Sequence, residues 1–76
     1  QGRLVYKNTS LKEIIADANR YYDGKIMLAD RKTGEQKVSI AFEVTKIDEM
    51  IENLSALLGL EVNRDLPDRV ILKLLD

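Results

Sequence analysis

The chain has no cysteine, no histidine and no tryptophan, and a single proline among its 76 residues. Without cysteine there is no disulfide framework, and without cysteine or histidine the common structural zinc sites are excluded. Ser10 and Thr45 have no histidine to activate them as nucleophiles. Neither sign of charge dominates: 12 basic residues stand against 13 acidic ones, a net charge of −1. A domain that binds nucleic acid by neutralising phosphates carries a basic surplus, so that class is set aside. No apolar run approaches the roughly 20 residues that span a bilayer, and no stretch of these residues reads as a signal peptide. Gly24 and Gly59 each stand alone, outside any glycine-rich phosphate loop. The lack of cysteine leaves the compartment open.

What remains is a chain long enough for one domain, residues 1–76, with a small core. It starts within a polar phrase (Gln1, Gly2, Arg3) and stops straight after a strand-like run, so it reads as a module of a longer protein.

The clearest stretch is Leu11 to Leu28. Leu11, Ile14, Ile15, Ala18, Tyr21 and Tyr22 form one stripe at helical spacing, which predicts a helix to about Tyr22. Ser10 with Glu13 fits a capping box, and Thr9 is the other candidate cap. Asp17 and Arg20 are spaced to pair. Gly24 is expected to end the helix in the left-handed conformation, and Lys25 to Leu28 follows as a strand. Before the helix, Arg3 to Lys7 is strand-like. Asp30 to Glu35 reads as a loop. Val38, Ile40 and Phe42 alternate with Lys37, Ser39 and Ala41, which predicts a half-buried strand. Thr45 is the candidate cap of a second helix, with stripe positions Ile47, Met50, Ile51, Leu54, Leu57 and Leu58 and a stop at Gly59. Leu60 to Arg64 is a short strand, Asp65 to Asp68 a turn and Arg69 to Leu75 a last strand.

A shift of 36 superimposes the halves. Leu4, Tyr6, Leu11, Ile14, Ile15, Ala18, Tyr21 and Tyr22 land on Ile40, Phe42, Ile47, Met50, Ile51, Leu54, Leu57 and Leu58. The expected fold is α+β: a βαβ-βαβ-β pseudo-repeat with two helices packed between small β-sheets, since each helix stripe needs a cover.

Chemistry-bearing clusters are scarce. Glu13, Asp17, Asp48, Glu49 and Glu52 lie off the stripes and read as surface carboxylates. Tyr6, Tyr21 and Tyr22 read as core residues with a hydroxyl at the rim. The βαββαβ order also occurs in RNA-binding modules, but those display aromatics on central strands, where this chain has Lys37, Ser39 and Ala41. The last strand is less ordinary. Val70, Leu72 and Leu74 make one face, yet Ile71 and Leu75 flank Lys73 on the other. Apolar residues on both faces of a terminal strand point to a partner or neighbouring domain, with main-chain pairing at a sheet edge as one mode, the other reading being crowding within this domain.

The wording GRLVYKNTSLKEIIADANRYYDGKIMLAD, then QKVSIAF and IDEMIENLSALLGLEV, resembles the C-terminal domain of FecR-family anti-sigma regulators, within the wider STN group of secretin and TonB-dependent transducer domains. The most specific part is Asn19-Arg20-Tyr21 followed by Gly24, Ile26 and Leu28. Val38, Ser39 and Phe42 also match; the family usually has a glycine where this chain has Ile40. The resemblance implies an STN-like domain on the periplasmic side of a single-pass inner-membrane protein. It implies as partner the signalling domain of a TonB-dependent transporter, often one for a siderophore. A cytoplasmic segment elsewhere in the protein would meet the sigma factor, and the rest of the chain would be a further neighbour. Neither catalytic residues nor cofactor, metal, nucleic acid or small-molecule substrate are implied. The candidate protein-binding residues, read from the sequence alone, are Arg20, Ile71, Lys73 and Leu75. The other reading is a structural STN-type domain of a secretin or transporter that serves assembly.

Overall fold

The computed structural model describes residues 2–75. Eight elements follow in order: β1 (Arg3–Ser10), α1 (Leu11–Ala18), β2 (Lys25–Leu28), α2 (Arg31–Gly34), β3 (Lys37–Glu43), α3 (Ile47–Leu58), β4 (Leu60–Asn63) and β5 (Arg69–Leu74). β1 and β3 make a two-stranded antiparallel sheet, and β2, β5 and β4, in that order, make a second sheet. The fold is the expected α+β arrangement. α1 packs on β1 and β2, and α3 on β3 and β4. Leu11, Ile14 and Ile15 of α1 and Met50, Ile51 and Leu54 of α3 join Ile26, Leu60, Val70 and Leu72 in one buried core. Burying a side chain of this size contributes about 1.5–3 kcal/mol.

The repeat is visible in the register. Leu4 faces Phe42 and Tyr6 faces Ile40; the 36-residue shift turns each pair into the other. Val5 faces Ala41, its own counterpart. An approximate dyad therefore passes between Val5 and Ala41. It carries β2 onto β4, and these two run antiparallel to each other. A single strand between them cannot be parallel to both, and β5 is parallel to β2 and antiparallel to β4.

Several local expectations change. α1 stops at Ala18, not Tyr22. Asn19 spends its amide on Ile26 of β2, and two tighter turns follow, from Arg20 N–H to Asp17 and from Tyr21 N–H to Ala18. Tyr21 is left 49% exposed, and Leu57, its counterpart in α3, is 64% exposed. Ser10 makes no side-chain cap, because it is still paired with Lys37 and the next amide, Leu11 N–H, donates to the Gln36 carbonyl. The Thr9 hydroxyl donates to the Lys7 carbonyl. Lys46, not Thr45, precedes α3, again without a side-chain cap. Asp17 accepts from the Tyr6 hydroxyl at 2.7 Å in place of the expected pairing with Arg20. Gly59 does end α3 with φ 73°, as expected. Gly24 serves by its size: an added Cβ would lie 3.0 Å from the Asp68 carbonyl oxygen. Ile40, at the family's usual glycine position, is half-buried against the core.

The stretch Asp30 to Glu35 holds a one-turn helix, not a loop. The Asp30 carboxylate accepts from the Thr33 N–H at 2.9 Å and from its hydroxyl at 2.6 Å. Those two bonds hold the carboxyl below the usual range. Thr33 is fully buried, and its hydroxyl oxygen accepts from Leu74 N–H at 3.0 Å. β2 ends at Leu28, so this hydroxyl fills the place of the missing strand beside β5.

Candidate functional site

Two surfaces stand out. The first is a groove of about 760 Å³ where three loops meet: Tyr21–Gly24 after α1, Val44–Lys46 before α3 and Arg64–Arg69 between β4 and β5. Its floor is polar. The Tyr22 hydroxyl donates to Asp48 Oδ1 at 2.8 Å, and Arg64 reaches Asp48 at 3.3 Å and Glu52 at 3.4 Å. Burial and the bond to Asp48 raise the Tyr22 hydroxyl above its ordinary range, so it stays a donor. On the β4–β5 side of the groove Arg69 pairs with its neighbour Asp68 at 3.2 Å and holds that carboxyl low. Tyr21 and Leu66 supply exposed apolar walls. The ion pairs lie at the surface, where each is worth about 0–1 kcal/mol. Of the charged residues that line the groove, Arg64 pairs with Asp48 and Arg69 with Asp68.

The second surface is the outer face of the three-stranded sheet. Opposite residues on neighbouring strands share a face. Ile26 with Val70, and Leu28 with Leu72 and Val62, line the core. The outer rows are Lys25 with Arg69, Met27 with Ile71 and Asn63, and Lys73 with Glu61. Ile71 and Met27 are half-buried at the middle of this face, and the charged residues around them are exposed. Leu75 follows at the end of the central row of residues, 59% exposed, with its N–H on the Gly59 carbonyl. Three of the four residues singled out from the sequence, Ile71, Lys73 and Leu75, thus share one surface. Arg20 does not join them. It sits in the turn after α1, close enough to the Tyr6–Asp17 pair to be felt by the Tyr6 hydroxyl.

The model of the family "FecR, C-terminal" matches residues 3–72. The chain belongs to the FecR C-terminal family. Two crystal structures of a "putative anti-sigma factor" from Parabacteroides distasonis ATCC 8503 share its fold. One has TM-score 0.83 at 17% identity and the other 0.80 at 18%. Each covers 100% of this chain and 35% of that protein's, so this chain spans about a third of its length. No curated protein matches.

In this FecR domain the backbone of β5 is used on both sides, by β2 and by β4. Strand addition at β5, one of the modes its two-faced sequence suggested, is closed, because both of its edges are already paired. The groove was missed by sequence reasoning. Its residues come from three loops spread between Tyr21 and Arg69, and none has a local signal beyond Pro67 and the glycine. Among the described residues no group of three or more His, Cys, Asp or Glu side chains is placed to hold a metal ion. Nor is any helix among them long and apolar enough to cross a membrane.

Proposed function

We propose that this domain is the signal-receiving module of a membrane-spanning anti-sigma regulator. It works on the periplasmic side of the inner membrane by binding protein, not by catalysis. Its partner is the N-terminal signalling domain of a TonB-dependent outer-membrane transducer in siderophore-linked iron uptake, and a cytoplasmic segment of the same regulator holds the sigma factor. The observation that carries this reading is the match to the FecR C-terminal family over residues 3–72. The description of the structural neighbour as an anti-sigma factor is in keeping with it.

The contact surface is the outer face of β5. Ile71 and Met27 form an apolar centre, Leu75 extends it, and Lys25, Lys73, Glu61 and Arg69 rim it. An apolar centre inside a charged rim is the common anatomy of protein interfaces. Arg20 makes a separate contact on the α1 side. Calorimetric titration of the signalling domain into the chain tests the reading. Wild type binds, and Ile71→Lys or Leu75→Lys weakens binding by tenfold or more, about 1.4 kcal/mol, while leaving the circular dichroism spectrum unchanged. Arg20→Ala weakens it less. No heat of binding with wild type removes the proposed partner; wild-type affinity in the β5 variants removes the proposed surface.

A further inference from the structure

The two-stranded sheet has two unpaired edges, and they differ. On β1, Lys7 and Asn8 lie opposite Ser39, and Asn8 takes a left-handed φ of 46°. Such a bulge bends an edge away from an incoming strand. β3 runs for seven residues without proline. Which of its backbone groups are free follows from the ladder. Val44 N–H donates to the Gly2 carbonyl, so Phe42 and Ile40, in step with Val44, also turn toward β1. Ser39 and Ala41 turn their N–H and C=O outward. At the end of the strand the Glu43 carbonyl accepts from Lys46 N–H, and a recess of about 220 Å³ separates Ala41–Glu43 from Glu49, Met50 and Asn53 of α3.

The sequence of that strand is symmetric in character about Ile40. Val38 and Phe42 are apolar, Ser39 and Ala41 small, and Lys37 and Glu43 opposite in charge. From this we infer that β3 is an isologous interface, pairing antiparallel with β3 of a second copy about a dyad at Ile40. The two sheets become one of four strands, in the order β1, β3, β3, β1. Ser39 then lies opposite Ala41 of the second copy, so outward backbone groups meet outward backbone groups. Lys37 lies opposite Glu43 of the second copy, and the dyad makes this contact twice. Opposite charges across a strand pair are favourable and like charges directly opposite are not. A dyad at Ser39 would set Glu43 against Glu35, and one at Ala41 would set Lys37 against Thr45, so charge selects Ile40. The occupant is a second copy because the complementarity is of the strand with itself.

Sedimentation equilibrium of the chain over a range of concentrations, with charge reversals, tests this. Lys37 and Glu43 are exposed, so Lys37→Glu and Glu43→Lys are expected to fold, as circular dichroism would verify. Each single reversal weakens dimerisation by about tenfold or more, because like charges meet at both ends. The double variant restores opposite charges and returns to within a few-fold of wild type. Glu43 also faces Arg3 across β1. Should Glu43→Lys unfold the chain, Ser39→Cys with Ala41→Cys gives an independent reading. The natural chain has no cysteine, and oxidation links two copies when they meet in the Ile40 register. A wild-type chain that stays monomeric at millimolar concentration overturns the inference. So does a dimer indifferent to the single reversals, a double variant without rescue, or failure of the cysteine variant to cross-link.

Discussion

The side-chain amide of Asn19 donates to the Ile26 carbonyl at 3.0 Å, and its oxygen accepts from the Ile26 N–H at 2.8 Å. One residue thus ends α1 and holds the first residues of β2 in place. Asn19→Ala leaves both Ile26 groups without those partners, partly buried, and is expected to cost about 1–3 kcal/mol, read as a lower urea midpoint with an unchanged slope. Tyr6 is the other residue whose polar tip is tied down. Its ring stacks on Phe42 at 6.0 Å and its hydroxyl donates to Asp17. Burial, and then the bond to Asp17, raise the phenol well above its ordinary value of 10.0. A raised folded-state pKa gives stability that is complete below pH 10 and is lost as pH rises through the folded value. Stability should therefore fall above about pH 10, and Tyr6→Phe should flatten that alkaline limb while lowering neutral stability by about 1–2 kcal/mol. An equally steep limb in Tyr6→Phe would assign it to other groups. Arg20 and Asn19 are neighbours in the most distinctive wording of the chain; the fold explains Asn19, and Arg20 remains free for a partner.

At the scale of elements, periodicity carried much of the reading. β3 alternates as its letters do, and α3 runs from Ile47 to Leu58 with glycine at its end. Three features were illegible for physical reasons. The helix α2 has a polar sequence and one turn, and it exists because Asp30 caps it and Thr33 reaches β5. Tyr21 and Tyr22 fit the stripe of α1 by spacing, yet the bond from Asn19 to β2 ends the helix before them. The place of β5 in the middle of a sheet depends on which strands meet, and alternation within one strand does not encode its neighbours. The two glycines after the long helices now have different roles, and substitution separates them. Gly59→Ala meets no atom within 4 Å but holds a residue at φ 73°, at a cost of about 1 kcal/mol. Gly24→Ala must displace the Asp68 backbone or the Tyr22 ring. It should cost more and should open the groove between the first helix exit and the β4–β5 turn. Thermal unfolding ranks the two; a smaller loss for Gly24→Ala would mean that the turn yields easily.

For the whole molecule, the approximate dyad through Val5 and Ala41 explains why the core is divided evenly between two helices and why one extra strand is needed. β2 and β4 alone would be separate edges; β5 joins them and gives the sheet an outer face. That face, with Ile71 at its centre, is the surface we propose for the transducer's signalling domain. The most direct measurement is amide chemical-shift mapping: the isotope-labelled chain, titrated with the unlabelled signalling domain. Shifts are expected to concentrate at Met27, Glu61, Ile71, Lys73 and Leu75, with the groove residues Thr45 and Leu66 unaffected. Shifts confined to the groove or to the two-stranded sheet, with the outer face of β5 silent, would contradict it.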